Sequence, residues 1–214
     1  SLAAMLRAGR SVISAAQDTI NDPGRGPKGL DGKTVLARSV ALYRAATGVD
    51  PASLPPGSRQ FVLLHDEMAA IEEVADANQA SIDAPGIGFK GFIPAVFGRL
   101  VCEAFNRLAA GEAAMKVTAP PNLIRNRRSL PDAWEMAAIQ AHFLAPGWKT
   151  GQSFEAVTEE HGQSVFRIAV PEYYSASCLS CHGGPRGEPD LTGYPKEGAA
   201  LGDLGGVISI RLLR

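Results

Sequence analysis

A five-residue motif near the carboxyl end of the chain constrains it more than any other feature. Cys178, Leu179, Ser180, Cys181 and His182 match C-x-x-C-H, the pattern that attaches c-type haem. Two thiols at this spacing add across the two vinyl groups on one edge of a porphyrin. The next residue is carried beneath the ring, where its imidazole binds iron. The motif therefore predicts one covalently attached haem c, with Cys178 and Cys181 as anchors and His182 as the proximal iron ligand.

Three other roles for these cysteines are weaker. A dithiol redox pair explains the two thiols but leaves His182 without a role. A zinc site needs two further ligands at paired spacing, and the sequence contains no second C-x-x-C and no H-x-x-x-H. A structural disulfide across C-x-x-C is uncommon. Gly183, Gly184 and Pro185 follow directly, so we expect the motif to lead into a loop.

Composition and charge narrow the class of protein. The 214 residues carry a formal net charge of −1, which argues against nucleic acid or an anionic membrane surface as the main partner. No run approaches the ~18 apolar residues of a membrane span. The chain begins at Ser1 with no signal peptide. Because haem c is attached outside the bacterial cytoplasmic membrane, we expect a periplasmic protein whose export segment has been removed.

The first half of the chain has the apolar periodicity of helices. Apolar residues recur at helical spacing over 2–16, 34–46 and 59–78. Pro94 begins a fourth predicted helix that ends near Gly111, with Leu108 in its main apolar stripe.

Beyond Gly111 the pattern changes to short strands. Helices followed by a short sheet are typical of an α+β fold. We divide the chain into an N-terminal helical region, 1–92, and a haem domain, 93–214. The predicted elements of the second part are a strand at 114–120, a short helix within 129–144, a hairpin formed by 153–160 and 163–171, a motif-bearing loop at 175–203 and a strand at 205–213.

The helical region contains an internal repeat. "QDTINDPGRGPKG" (17–29) and "QASIDAPGIGFKG" (79–91) align at a constant offset, and each copy follows a predicted helix. Gly-x-Gly turns with a lysine can bind an anion such as a carboxylate or a haem propionate. We favour the simpler interpretation of two equivalent helix exits, in which the glycines supply positive φ.

The position of the motif disfavours two common haem folds. In small electron-carrier cytochromes c the motif lies near the amino terminus, and a methionine downstream completes the iron site. Here the residues after His182 contain no Met, His or Cys, so any protein sixth ligand must come from upstream. In four-helix cytochromes c′ the motif lies on a helix, whereas here Gly and Pro follow it.

The chain resembles a family of single-haem c-type proteins with a PAS-like fold. These occur as stand-alone periplasmic proteins and as sensor parts of bacterial histidine kinases and chemoreceptors. The resemblance is clearest over 92–214 and extends through the repeated segments to nearly the whole chain. It implies a PAS-like antiparallel sheet that holds haem, flanked by N-terminal helices, with a redox or small-ligand sensing role. It rests on "FIPAVFGRLV", "IRNRRSLPDAWE", "VFRIAVPEYYSASCLSCHGG", "LTGYPKEG" and "GDLGGVISI".

Cys102 is the leading candidate for the sixth iron ligand. It lies on a face of small residues on the fourth predicted helix, and some members of the resembled family are thought to use a His/Cys pair. The alternative is a small buried residue in a helix seam. His65 and His142 are weaker candidates, a vacant position stays open, and His161 is expected at a hairpin turn.

Basic and aromatic residues are candidates for contacts with the haem. Arg pairs with carboxylates in a bidentate manner, so arginines suit the propionates. We prefer Arg125 and Lys196, because they lie in family-like segments. Tyr194, beside the motif loop, is a candidate to stack on or hydrogen-bond the macrocycle, and an ordinary core tyrosine is the equal alternative. The remaining candidates are Arg99, Arg127, Arg128, Arg167, Tyr173 and Tyr174.

These observations predict a haem-based redox or gas sensor. The alternative is electron transfer, including as a subunit of a larger respiratory or photosynthetic complex. The partner would then be a redox protein or a membrane complex. Neither a six-coordinate iron nor an iron with an open sixth position comes with a substrate pocket that holds a general acid and base. We therefore expect no enzymatic activity. Peroxidase-like turnover ranks third.

Overall fold

The structure, a computed structural model, describes residues 1–214 and divides into two units, Ser1–Ala114 and Met115–Arg214. The fold class is α+β, as predicted, with helices first and a four-stranded sheet after them. None of the helices combines the length and apolar character needed to cross a membrane.

The first unit is built from helices. Its helices are α1 (Leu2–Ala15), α2 (Gln17–Ile20), α3 (Gly32–Thr47), α4 (Arg59–Asp83) and α5 (Pro94–Leu108). Helix α1 packs against α3, α4 and α5. The core consists of side chains that are almost entirely buried, including Leu6, Ile13, Leu64, Ile71, Phe97 and Phe105.

Close approach between α1 and α5 depends on a glycine. A Cβ added to Gly9 would lie 3.0 Å from Cε1 of Phe97. This contact is tighter than ordinary van der Waals distance, so the small residue lets the two helices approach and bury Phe97.

One helix end and the burial of one residue differ from the prediction. Helix α4 continues to Asp83, because the first residue that disfavours helix is Ala84, which precedes Pro85. Helix α5 ends at Leu108, before Gly111, and Leu108 is 37% exposed although its spacing placed it in the core stripe.

The two copies of the repeat contact each other reciprocally. The backbone N–H of Lys90 donates to Asn21 Oδ1 (3.0 Å), and the N–H of Lys28 donates to Asp83 Oδ1 (2.8 Å). Asn21 and Asp83 occupy equivalent positions of the repeat, as do the two lysines. Each lysine ammonium donates to a carbonyl six residues earlier, that of Asp22 or Ala84. The lysines therefore close their own loops.

The second unit contains most of the sheet. Its strands are β1 (Ala113–Thr118), β2 (Phe154–Glu160), β3 (Gln163–Tyr173) and β4 (Leu204–Leu213), in the order β1-β4-β3-β2. Strand β3 pairs antiparallel with both β2 and β4. The predicted hairpin is confirmed, with its turn at His161 and Gly162, which both have positive φ.

A short helical segment packs on one face of this sheet. It comprises α6 (Ala133–Ala138) and a π-helical turn, Ile139–Phe143. Asp132 and Glu135 form a capping box, so the helix begins at Ala133 rather than at Ser129, where the predicted range starts. The residues that form this core are Ala138, Ile139, Phe143, Ala169 and Val207, with Trp134, Trp148, Phe154 and Leu204 at its edge.

Candidate functional site

The C-x-x-C-H motif forms one helical turn at the start of the long loop between β3 and β4. A 3-10 turn, Ala176–Cys178, leads directly into α7 (Leu179–His182). Cys178 and Cys181 are three residues apart on this turn, so their side chains project to the same side. Both are half-buried, and neither is in a disulfide. The two thiols therefore present a common, partly open surface.

Glycines fix the backbone around this turn. A Cβ on Gly183 would lie 2.6 Å from the carbonyl oxygen of Leu179, and one on Gly205 would lie 2.5 Å from Cε1 of Tyr174. No side chain fits at either distance without movement of its neighbours. Gly183 thus allows the chain to leave the motif directly, and Gly205 lets the Tyr174 ring lie against the backbone of β4.

His182 is held from two sides. Its Nδ1 lies 2.8 Å from Oε2 of Glu197, a distance typical of a charge-assisted hydrogen bond. The Tyr174 ring stacks on the imidazole, with ring centroids 4.9 Å apart and planes inclined by 24°. With its proton on Nδ1, the imidazole donates to Glu197, and Nε2 is the nitrogen with a lone pair for a metal.

Arg125 connects the motif to two acidic residues. Its Nε and Nη2 donate to the two carboxylate oxygens of Glu197 (2.9 and 3.0 Å), and Nη1 donates to Oδ2 of Asp190 (2.6 Å). Nη2 also donates to the carbonyl of Cys181 (3.0 Å). One guanidinium thus fixes Glu197, Asp190 and the motif backbone relative to each other.

The charges in this network shift the acidity of its members. Burial raises the pKa of Glu197, but hydrogen bonds from Arg125 and His182 outweigh it and leave the pKa below its usual value. The pKa of Asp190 is also lowered, since hydrogen bonds from Thr192 and Arg125 outweigh the effect of burial. Burial, with the nearby charge of Glu197, raises the pKa of Tyr174 to about 12. The site therefore contains two carboxylates, one guanidinium and a neutral phenol at neutral pH.

Residues 187–196 form a small hairpin that carries Asp190. Lys196 pairs with Glu188, with Nζ and Oε2 3.6 Å apart. Tyr194 donates from its hydroxyl to the carbonyl of Arg125 (3.1 Å), and the Arg125 guanidinium lies 5.3 Å from the centre of the Tyr194 ring. Arg125 and Tyr194 are therefore brought together beside the motif. The predicted contacts of Arg125 and Lys196 with haem propionates, and of Tyr194 with the macrocycle, stay predictions.

The candidates for the sixth iron ligand lie in different elements. Cys102 is 3% exposed on α5, and its neighbour on the same face, Gly98, lies against the side chain of Arg10 in α1. His65 on α4 is half-buried, stacks on Phe61 at 3.8 Å between ring centroids, and places Nδ1 2.9 Å from the Phe61 carbonyl. The assignment of Cys102 stays a prediction.

His142 and His161 occupy distinct positions in the second unit. His142 lies in the π-helical turn and stacks on Phe154, with ring centroids 3.9 Å apart. His161 is exposed at the β2–β3 turn, as predicted.

The remaining basic candidates bind acidic residues or lie at the surface. Arg99 pairs with Glu103 one turn away in α5. Arg127 and Arg128 are exposed in a 3-10 turn. Arg167 on β3 pairs with Asp132 (2.7 Å) and lies over the Trp134 ring at 4.4 Å, where it joins α6 to the sheet.

Two functional residues were not predicted from the sequence. Glu197 and Asp190 both belong to the predicted motif loop, but the predicted haem contacts were limited to cations and aromatic rings. A usable signal existed, because a metal-binding histidine commonly donates its second ring N–H to a carboxylate or carbonyl. That rule directs attention to the acidic residues of the same loop.

The residues of this site fit a covalently bound haem. The motif supplies two thiols on one side of a turn and an imidazole whose Nδ1 is already hydrogen-bonded. The same loop exposes three large side chains, Leu191 (52%), Tyr194 (46%) and Leu201 (68%).

Fold and site together define a class: an α+β protein that carries a C-x-x-C-H turn on a long loop beside an antiparallel sheet. The model of the Tll0287-like family (Tll0287) matches residues 31–212. The chain therefore belongs to the Tll0287-like family. No curated protein and no solved structure matches it.

Proposed function

We propose that this protein is a periplasmic monohaem c-type cytochrome with a PAS-like sheet, and that its haem acts as a redox or small-ligand sensor. The observation that carries the proposal is the C-x-x-C-H turn whose histidine has Nδ1 bound to Glu197. This arrangement leaves Nε2 for the iron. Membership of the Tll0287-like family supports the same conclusion.

Each residue of the site has a distinct role in this proposal. Cys178 and Cys181 would form the thioether bonds, and His182 would bind the iron. When bound, haem supplies an iron that exchanges one electron and, with an open position, binds small gases. Arg125 holds the loop in place through Glu197, Asp190 and the carbonyl of Cys181.

The sixth ligand sets the range of the iron chemistry. We propose the Cys102 thiolate, because an anionic sulfur stabilises ferric iron and lowers the reduction potential. With Cys102 as ligand the haem would supply a low-potential iron, which suits a sensor.

Electron transfer is the second candidate, and surface exposure of the motif favours it. Cys178, Cys181 and His182 are only half-buried. Exposed residues around them include Ser175, Ala176, Ser177 and Ser180. A haem attached here would have its thioether edge near solvent, where a redox partner can approach. We expect such a carrier to keep the same iron ligands in both oxidation states.

Optical and EPR spectra of the mature protein separate the two candidates. We expect a change of coordination or spin state on reduction, or on addition of CO or NO, if the protein is a sensor. Identical six-coordinate spectra in both oxidation states, with no response to either gas, would contradict sensing and support a carrier. Loss of the ferric low-spin signal in Cys102→Ala would identify that ligand, with His65→Ala as the matched comparison.

A further inference from the structure

We propose that Glu197 is a positioning residue for His182: its carboxylate accepts the Nδ1–H of the imidazole, directs Nε2 toward the iron and lowers the reduction potential. The inference rests on the proposed haem function and specifies how the protein tunes that haem. Glu197 would not itself contact the iron.

The contact is short and the carboxylate is held in place. Oε2 of Glu197 lies 2.8 Å from Nδ1 of His182, and the side chains of His182 and Glu197 are only 25% and 17% exposed. Two further hydrogen bonds from Arg125 fix both carboxylate oxygens (2.9 and 3.0 Å). Little reorganisation is therefore needed for Glu197 to orient the ring.

Backbone pairing places Glu197 opposite the motif. The N–H of Ala199 donates to the carbonyl of His182 (2.8 Å), and the N–H of Gly198 donates to the carbonyl of Gly183 (3.1 Å). These two bonds pair residues 198–199 with residues 182–183, and Glu197 directly precedes the paired residues in the chain. The position of the carboxylate thus follows from the path of the loop as well as from its side-chain bonds.

Tyr174 is the other polar group that reaches the same nitrogen. Its hydroxyl lies 3.4 Å from Nδ1 of His182, at the outer limit of a hydrogen bond, whereas the carboxylate oxygen lies at 2.8 Å. A hydroxyl also lacks the charge that makes a carboxylate the stronger acceptor. We therefore infer that the Nδ1–H of His182 donates its hydrogen bond to Glu197, and that Tyr174 contributes by stacking on the imidazole.

A carboxylate partner changes what the imidazole gives to the metal. It raises the basicity of the ligating nitrogen, and loss of such partners commonly reduces metal affinity about 10–100-fold. A more basic ligand favours ferric over ferrous iron. Loss of the carboxylate partner should therefore favour the ferrous state. A tenfold change in the ratio of ferric to ferrous affinity corresponds to about 59 mV for one electron.

Glu197→Gln tests the proposal, because it removes the charge and keeps an oxygen acceptor. We expect its midpoint potential, from a spectroelectrochemical titration, to lie at least about 59 mV above that of wild type, a tenfold shift. Glu188→Gln is the matched control, since Glu188 lies on the same loop, is 58% exposed and pairs with Lys196. The control should keep the wild-type potential.

The outcomes separate this inference from the proposed function. Wild-type protein without covalent haem would overturn the haem assignment itself. Haem-loaded Glu197→Gln with the wild-type potential, or a control that shifts equally, would overturn the role of Glu197 alone. If Glu197→Gln does not mature, NMR of the ferrous wild type decides. NOEs from the Nδ1 proton of His182 to the Glu197 side chain support the proposal, and NOEs to Tyr174 without Glu197 contradict it.

Discussion

Glu67 is the residue whose burial is least compensated. It lies on α4, is 0% exposed, and neither carboxyl oxygen has a hydrogen-bond partner of good geometry. Burial raises its pKa well above the usual value, and the amino terminus and the backbone of Leu6 oppose this rise only in part. A carboxyl group in such a place holds its proton in the folded state, because the charged form would lose its hydration without a partner.

The raised pKa makes stability fall as pH rises. The folded state binds one proton more than the unfolded chain between the unfolded pKa, about 4.3, and the higher folded pKa. We expect Glu67→Gln to gain stability relative to wild type across that interval, by up to about 1.4 kcal/mol per pH unit. Below about pH 4.3 both states are protonated, so the pH-dependent gain disappears.

Denaturant unfolding at several pH values, from just below the unfolded pKa of about 4.3 up to neutral pH, measures this effect. Glu112→Gln is a suitable control, since its side chain is 70% exposed. A difference between Glu67→Gln and wild type that stays constant with pH would contradict the assignment of a protonated Glu67.

At the scale of elements, Arg125 is the anchor of the motif loop. It binds Glu197, Asp190 and the carbonyl of Cys181 through its several N–H groups, a fork geometry that lysine lacks. We expect Arg125→Lys to release the loop locally and leave the sheet intact. Amides of residues 182–199 should exchange on the order of tenfold faster, since hydrogen bonds to charged groups contribute about 1.5–3 kcal/mol each.

Hydrogen–deuterium exchange by mass spectrometry checks this prediction. Arg127→Lys, in the exposed 3-10 turn beside it, provides the matched control. Equal protection of the loop in both variants would show that Arg125 does not anchor it.

The sequence predicted most elements, because local signals determine them. The helices, the hairpin at His161 and the final strand follow from periodicity and turn residues. The burial of a side chain depends on which other elements pack against it, and the periodicity of one segment contains no information about those elements. Leu108 was therefore expected in the core yet is 37% exposed, and Gly98 lies against Arg10 of another helix.

The candidate site was predictable only where its residues are adjacent in sequence. Cys178, Cys181 and His182 form one motif, so their proximity is local. Glu197 is 15 residues from His182 and 72 residues from Arg125 along the chain, so its contacts with both depend on the path of the loop. Spacing alone contains no information about that path.

At the scale of the whole molecule, the two units contain different functional features. Residues 115–214 hold the motif, its acidic partners and most of the sheet, while residues 1–114 hold the reciprocal repeat, Cys102 and Glu67. The family match spans most of both. Sensing, electron transfer and the tuning by Glu197 all require a haem at the motif of the second unit.

The most direct test of that requirement is intact-protein mass spectrometry. The protein is first matured in a periplasm that has a c-type maturation system. We predict a mass increase equal to one haem that survives denaturation, together with a Soret band. Replacement of Cys178 and Cys181 by alanine should abolish the added mass. An unmodified mass and a colourless protein, obtained while a known c-type cytochrome matures in the same cells, would contradict the account.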